Sequence, residues 1–367
     1  MRVTVKGRVH PKAGRALAAL LVAAAALAGA CLPRSQTGAR HGERQVTLYA
    51  FSVMKEVMDK AVLPGFSAKW KQEHGEDVKF TTSYAGSETI TNQILAGVSA
   101  HVGVFSIERD VERLAQKGLV TSNWKGMPFG GIANKTPFVI LVRKGNPKGI
   151  HDFPDLAKPG VRVIHPDPDG SGGAQWSILA IYGSELKKLQ AASTETGGDA
   201  TQTVSTVPTE AARARALQML KNIWRNVIAT PDSARAARTQ FETGYGDALI
   251  TYELEGLMMK DAGAPFEIVV PRATIFSEHP AVVIDKNVPA EDRPLVDAFM
   301  QYLWSDEAQQ AFVKFHFRSV THEEFNDANK DFAKVELPFT VGELFGGWQR
   351  AYPEVIDGVW RKQVKQK

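Results

Sequence analysis

Short apolar runs alternate along the chain with longer segments whose apolar residues recur every three or four positions. The alternating segment Gln45–Ser52 predicts a first strand, and Val78–Ser83 and Val102–Ser106 predict the next two. Met54–His74 has helical spacing and should be kinked or split at Pro64. Because strands and helices alternate in this way, we expect an α/β fold built on parallel sheets.

The second half continues the same pattern with one interruption. The unbroken apolar run Phe138–Arg143 predicts a central strand, Ala211–Val227 a helix, and Leu295–Phe315 one strongly amphipathic helix. Glu185–Glu210 loses its periodicity and fills with Thr, Ser, Gly and Gln, which predicts a partly disordered surface insertion. Further strands are predicted at Asp247–Tyr252, Phe266–Val270 and Ala281–Ile284.

The stretch Val161–Ala180, VRVIHPDPDGSGGAQWSILA, carries the clearest chemical signal. It predicts a strand, a glycine-rich turn and a helix, and such a turn exposes backbone N–H groups at the positive end of the helix. Ser171, Gly172 and Gly173 therefore form a candidate oxyanion site, although a serine there also serves as an ordinary helix cap.

Two more junctions have the same form. Ala85-Gly86-Ser87 precedes a helix with Ser87 at the expected N-cap, and Pro231-Asp232-Ser233 precedes an Ala/Arg-rich helix. Ligands of α/β sheets bind beyond the carboxyl ends of strands, where such helices begin. Three junctions together are therefore a stronger indication of a ligand site than one.

The first residues form a targeting segment. Residues 1–30 carry five basic residues and no acid, and the apolar run Ala16–Ala30 is too short to span a bilayer, which is typical of a signal peptide. Cys31 is the only cysteine in the sequence and follows the cleavage signal directly. This placement favours lipidation of Cys31 in the manner of a bacterial lipoprotein, with plain cleavage near Ala30 as the alternative. Residues 31–44 then form a polar tether.

Charge and composition exclude several classes of function. The formal net charge is +4, but without the five basic residues of the targeting segment it falls to −1. A near-neutral chain argues against nucleic acid as a partner. The histidines lack the spacing of a metal pair, and no GxxxxGK[ST] loop is present, so neither a metal nor a nucleotide cofactor is expected.

Five segments carry the most specific sequence motifs: Leu141–Ile164 (LVRKGNPKGIHDFPDLAKPGVRVI), Ser171–Trp176 (SGGAQW), Phe241–Glu255 (FETGYGDALITYELE), Phe266–Pro271 (FEIVVP) and Leu344–Trp348 (LFGGW). Together and in this order, they resemble the periplasmic sulfate- and thiosulfate-binding proteins of ABC importers. The similarity runs from about Val46 to Trp348.

The resemblance implies a two-lobed type II periplasmic binding protein fold, with a mostly parallel sheet flanked by helices in each lobe and a hinge between them. Residues 45–137 and 275–330 would form lobe 1, residues 138–274 lobe 2 with the insertion at about 185–210, and residues 331–367 a C-terminal extension. The chain would cross between lobes near Thr136–Phe138 and near Thr274–Phe276.

The resemblance also implies a receptor that closes around a sulfate or thiosulfate anion and delivers it to an inner-membrane permease. The protein would be a monomer on the periplasmic or extracytoplasmic side of the membrane, without catalytic activity. The ligand-binding residues implied by the matching motifs are Ser52, Ser87, Ser171, Gly172, Gly173, Ala234 and Tyr252.

Some positions depart from the family pattern. The Asp-Pro-Thr stretch after the first strand is missing, Glu88 follows the binding serine, and Tyr252 replaces an indole donor. A tyrosine hydroxyl accepts as well as donates hydrogen bonds, which would relax the preference for a fully ionised anion.

These departures leave two alternatives open. One is a degenerate receptor of the same fold for another oxyanion or an organic acid. The other is a serine hydrolase, because Ser52-Val-Met-Lys55 matches the S-x-x-K motif, although the accompanying SDN and KTG motifs are missing.

Overall fold

Two long antiparallel strands, β4 (Ile132–Arg143) and β9 (Ala273–Val283), run through the middle of the structure. The structure is a computed structural model that describes residues 43–196 and 208–365. Within these residues a ten-stranded sheet has the order β2-β1-β3-β9-β4-β7-β5-β6, with β10 added to β9 and β8 to β4. The other strands are β1 (Arg44–Phe51), β2 (Val78–Ala85), β3 (Val102–Val104), β5 (Val163–Ile164), β6 (Val227–Ala229), β7 (Ala248–Tyr252), β8 (Phe266–Val269) and β10 (Leu337–Phe339).

The ten strands divide into two parts, called sheet 1 and sheet 2, that are joined through β4 and β9. In sheet 1, β1 pairs in parallel with β2 and β3, and β3 pairs antiparallel with the end of β9. In sheet 2, β5 pairs in parallel with β6 and β7, whereas β4 pairs antiparallel with β7 and β8. Each sheet is therefore mixed, and its antiparallel pairs involve the two long strands.

The two long strands change partners within a few residues. Pro137 on β4 pairs with Phe276 on β9, whereas the next residue, Phe138, pairs with Tyr252 on β7. Side-chain hydroxyls join the two strands there: Thr274 donates to the carbonyl of Phe138 at 2.8 Å and Ser277 to that of Thr136 at 2.8 Å. Two adjacent strands thus form the covalent connection between the sheets.

Helices flank both sheets, and several begin shortly after a strand ends. The β-strand β1 leads into a 3-10 turn at Ser52–Met54 and a helical segment that changes to π-helical geometry at Met58–Val62, just before Pro64. The α-helices are α1 (Lys55–Val57), α2 (Leu63–His74), α3 (Ser87–Leu95), α4 (Glu108–Gln116), α5 (Gly172–Thr196), α6 (Glu210–Trp224), α7 (Ala234–Glu242), α8 (Glu253–Asp261), α9 (Arg293–Tyr302), α10 (Asp306–Lys314), α11 (Glu323–Ala328), α12 (Val341–Phe345) and α13 (Trp348–Ala351). A π-helical segment, Tyr352–Val364, ends the described chain, and short 3-10 turns lie at Trp124–Gly126, Pro128–Gly131, Phe153–Ala157 and Asp285–Asn287.

Two predictions about the helices were wrong. The first half of the predicted insertion Glu185–Glu210 is helical, because α5 continues to Thr196 with Leu186 buried in the core; residues 197–207 lie outside the described residues. The single helix predicted over Leu295–Phe315 is two helices, because Ser305 caps α10 by accepting a hydrogen bond from the N–H of Ala308 at 3.3 Å.

No helix in residues 43–196 or 208–365 combines the length and the apolar character needed to cross a membrane. The predicted signal peptide, Cys31 and most of the tether lie outside these ranges.

A fully buried histidine lies on β9 beside the strand crossing. His279 Nδ1 donates to Asn134 Oδ1 at 2.7 Å, its Nε2 has no hydrogen-bond partner, and the ring packs 4.6 Å from that of Phe51, centroid to centroid. Burial lowers the pKa of His279 from 6.5 to about 3. The folded protein therefore keeps this imidazole neutral under conditions in which the unfolded chain protonates it.

We predict that His279→Gln is less stable than the wild type and that this difference in the free energy of unfolding becomes smaller as the pH falls. The unfolded chain gains a proton at His279 below pH 6.5 that the folded protein excludes, so the wild type loses about 2 kcal/mol between pH 7.5 and pH 5 that the variant does not lose. Urea unfolding of both proteins at the two pH values measures the difference. Replacement of the exposed His151 by Gln is the control, and a deficit that does not change with pH would contradict the prediction.

Candidate functional site

Three loops that precede helices, one from sheet 1 and two from sheet 2, lie next to one another. A Cβ atom placed on Gly86, before α3, would lie 2.9 Å from the carbonyl oxygen of Asp232, which precedes α7, and would also clash with the carbonyl oxygen of Gly170, which precedes α5. A Cβ atom on Gly170 would lie 3.2 Å from the same Asp232 oxygen. The three junctions predicted from the sequence are therefore next to one another, and glycine permits their close approach.

The first turns of these helices leave backbone donors available. No described residue accepts a hydrogen bond from the N–H groups of Ser87, Gly172, Gly173 or Ala234. The side chains of Ser87 and Ser171 and the residue Ala234 are buried, with exposures of 1%, 2% and 4%. Unsatisfied N–H groups at several buried helix N-termini favour an anion, because the peptide dipoles place partial positive charge there.

Ser87 has a different role from the predicted helix cap. Gly86 occupies the N-cap of α3, with φ −59° and ψ 143°, and Ser87 is the first helical residue. Its Oγ donates to Asp110 Oδ2 at 2.5 Å and accepts from the N–H of Ser106 at 2.9 Å. Because its hydroxyl proton is already donated to Asp110, the backbone N–H of Ser87, rather than its hydroxyl, remains available as a donor.

Asp110 is a buried carboxyl directly behind Ser87. Its side chain is fully buried, its Oδ1 has no hydrogen-bond partner, and the guanidinium Nη1 of Arg113 is 3.9 Å away. Burial, together with the nearby charge of Glu88, raises the pKa of Asp110 to about 7.

Ser106 is held in the site by three hydrogen bonds. Besides the bond from its N–H to Ser87, its carbonyl accepts from Trp176 Nε1 at 2.7 Å and its Oγ is 2.8 Å from the hydroxyl oxygen of Tyr252. Trp176 lies on α5 and Tyr252 ends β7, so two of these bonds join the loop after β3 to α5 and to a strand of sheet 2.

Gly172 and Gly173 lie against this hydroxyl pair. A Cβ atom on Gly172 would be 2.8 Å from Ser106 Oγ, and one on Gly173 would be 2.8 Å from the hydroxyl oxygen of Tyr252. Ser171 Oγ accepts from the N–H of Ala174 at 3.3 Å, which leaves its own proton for a ligand. The predicted residues Ser87, Ser171, Gly172, Gly173 and Tyr252 are thus brought together.

The remaining predicted residues are Ala234, Ser52 and Cys31. Ala234 begins α7, and this helix packs against the 3-10 turn that Ser52 begins. Ser52 is half-buried at the end of β1, and no described residue bonds to its hydroxyl. Cys31 is not among the described residues.

Charged residues around the site pair with each other. Arg235, at the start of α7, forms a two-bond ion pair with Glu56 on α1, in which Nη2 is 2.8 Å from Oε2, and its Nε donates to Glu255 at 3.0 Å. Glu88 is only 12% exposed and pairs with Arg109 at 3.3 Å and Arg113 at 2.5 Å. The carboxylate of Glu88 is therefore compensated by two arginines instead of pointing to solvent.

Ser106 and Asp110 were not predicted from the sequence. Ser106 follows β3, a parallel strand whose carboxyl end lies at the same edge of sheet 1 as those of β1 and β2, and this position is the signal that identifies it. Asp110 has no such signal, because an acidic residue in the first turn of a helix is ordinarily explained by the helix dipole. Within the described residues, no group of three or more His, Cys, Asp or Glu residues is arranged to hold a metal ion.

Comparison with known proteins shows the family of this chain. The model of the bacterial extracellular solute-binding protein family matches residues 46–318. A sulfate-binding protein of Synechococcus elongatus is 32% identical over 91% of this chain and 90% of its own length, and a thiosulfate-binding protein of Pseudomonas aeruginosa is 31% identical over 88% and 92%.

Among solved structures, the sulfate-binding protein SubI from Mycobacterium tuberculosis superimposes with a TM-score of 0.73 at 29% identity, covering 85% of this chain and 99% of SubI. The two sheets joined by a strand crossing are the two-lobed type II periplasmic binding protein fold. The chain belongs to the family of bacterial extracellular solute-binding proteins, alongside sulfate- and thiosulfate-binding members.

Proposed function

We propose that this protein is an extracytoplasmic receptor that binds sulfate or thiosulfate between its two lobes and delivers the anion to an ABC permease. The observation that carries the proposal is the meeting of three buried helix N-termini whose first N–H groups have no partner among the described residues. Relatives named for sulfate and thiosulfate support the same class of ligand.

On binding, the dipoles of neighbouring N–H and O–H groups would replace the hydration shell of the anion. The N–H groups of Ser87, Gly172, Gly173 and Ala234 and the hydroxyl of Ser171 are the proposed donors. Tyr252 would add a hydroxyl donor, and Ser52 would contribute from the end of β1. Neutral donors suit a small dianion because they are pre-oriented by the helices and need no counter-ion.

Closure of the lobes would complete the site, because its donors come from both sides. Residues 45–137 with 275–330 are the proposed lobe 1, and residues 138–274 the proposed lobe 2, with β4 and β9 as the connection that bends. The ion pair of Glu56 with Arg235 joins α1 to α7 across this junction, so it forms only when the two sides are together.

We propose a monomeric, periplasmic or membrane-anchored protein, secreted through its signal peptide and lipidated at Cys31. We propose no catalytic activity, since the hydroxyls of Ser52 and Ser171 form no bond to a histidine within the described residues.

We predict that Ser171→Asp abolishes sulfate and thiosulfate binding. The substitution places a carboxylate where the dianion would receive a hydroxyl proton and several N–H groups, and the two negative charges repel each other at short range in a site shielded from water. Titration calorimetry with each anion gives the dissociation constants. Ser99→Asp, at an exposed position between α3 and β3, is the matched control and should bind like the wild type. Binding by Ser171→Asp with unchanged affinity would contradict the proposed site.

We predict that Glu56→Gln weakens sulfate binding about tenfold, because the closed form loses a charge-assisted pair of hydrogen bonds to Arg235. Stopped-flow measurement of anion release should show that most of the loss is a faster dissociation rate. Glu73→Gln on the surface of α2, which removes an exposed pair with Lys69, is the control. Equal dissociation rates for Glu56→Gln and the wild type would show that this pair does not hold the lobes together.

A further inference from the structure

The hydroxyls of Ser106 and Tyr252 form a pair across the junction of the two sheets. Their oxygens are 2.8 Å apart and both residues have zero exposed surface. Ser106 follows β3 in sheet 1, and Tyr252 ends β7 in sheet 2. The pair therefore lies inside the molecule, where its hydrogen-bonding capacity is not shared with bulk water.

The pair borders the first turn of α5. A Cβ atom on Gly172 would lie only 2.8 Å from Ser106 Oγ, and one on Gly173 only 2.8 Å from the hydroxyl oxygen of Tyr252. The same two glycines supply N–H groups without a described acceptor. An oxyanion held by those N–H groups would consequently contact the hydroxyl pair.

The hydroxyl protons of this corner can be counted. The hydroxyl of Ser87 donates its proton to Asp110, and the backbone N–H of Ser106 donates to Ser87 Oγ. Ser106 and Tyr252 have one hydroxyl proton each. One of these two protons forms the hydrogen bond between them, so the other can be donated to a ligand. Each hydroxyl oxygen has two lone pairs, so the pair also keeps free acceptor capacity.

We propose that the Ser106–Tyr252 pair lets the site bind a tetrahedral oxyanion that retains a proton, such as hydrogen phosphate, as well as a fully ionised one such as sulfate. The inference rests on the proposed function, since it concerns the ligand of the same site. It specifies Ser106 and Tyr252 as the residues that determine the protonation state of the accepted ligand.

The physical reason is the fate of the ligand's own proton. In a site made of donors alone, the O–H of a protonated oxyanion is buried without an acceptor, and an unpaired buried polar group is what makes rejection strong. Here either hydroxyl oxygen accepts that proton and the other hydroxyl still donates. Burial also raises the pKa of Tyr252, which keeps the phenol protonated and able to play either part.

Either hydroxyl alone can accept and donate, so the test needs the double variant. Titration calorimetry at pH 7.5 with sodium sulfate and with inorganic phosphate would be run on the wild type, Ser106→Ala, Tyr252→Phe and the double variant. We expect measurable phosphate binding by the wild type. The ratio of phosphate to sulfate affinity should stay within about threefold in each single variant and fall about tenfold or more in the double variant, as expected for one unpaired buried group.

Tyr302→Phe is the control, because it removes a tyrosine hydroxyl from α9 next to Gly65, in another part of the core. It should leave the ratio unchanged. A wild type that binds sulfate but not phosphate, or a double variant that keeps the wild-type ratio, would overturn the inference while leaving the proposed function intact. Failure of the wild type to bind either sulfate or thiosulfate would overturn the proposed function itself.

Discussion

The constraint on which the structure depends is the close approach of three backbone loops from two different sheets. Gly86 lies so near the carbonyls of Gly170 and Asp232 that a side chain at this position would clash with the backbone of both loops. Each loop belongs to a separate strand–loop–helix unit, and the units are positioned by the order of strands in their sheets. A buried anion is stabilised mainly by dipoles in contact with it, so what matters is the placement of these first turns rather than the length of the helices behind them.

The same requirement explains why charged side chains near the site are tied to one another. Arg235 is held by Glu56 and Glu255, and Glu88 by Arg109 and Arg113. A free arginine would bind many anions and hold them even when the lobes part, whereas N–H groups from two sides bind strongly only when the lobes are closed. In the proposed receptor, pairing of the charges would therefore make the affinity for the anion depend on closure of the lobes.

The sequence predicted the three junctions because strand, turn and helix are encoded within a short run of consecutive residues, as in the 20 residues Val161–Ala180. The α/β class and the family could be predicted for the same reason, since motifs such as Ser171–Trp176 are local. What could not be predicted depends on contacts between distant segments. Ser87 was expected to cap its helix, and only the positions of Asp110 and Ser106 show that its hydroxyl is used elsewhere. The helical continuation to Thr196 was missed because it depends on packing of α5 against α6 rather than on its own polar composition.

The C-terminal segment, residues 352–365, also forms contacts with distant residues that lie beside the candidate site. Asp169, two residues before Ser171, accepts hydrogen bonds from Arg361 at 2.8 Å and Lys365 at 2.5 Å. The ring of Tyr352 lies 3.5 Å from the guanidinium of Arg109, which pairs with Glu88 in the first turn of α3. One segment thus contacts both the loop before α5 and, through one arginine, the start of α3. These two helix starts lie on opposite sides of the junction, so the C-terminal segment contacts both sides of the candidate site.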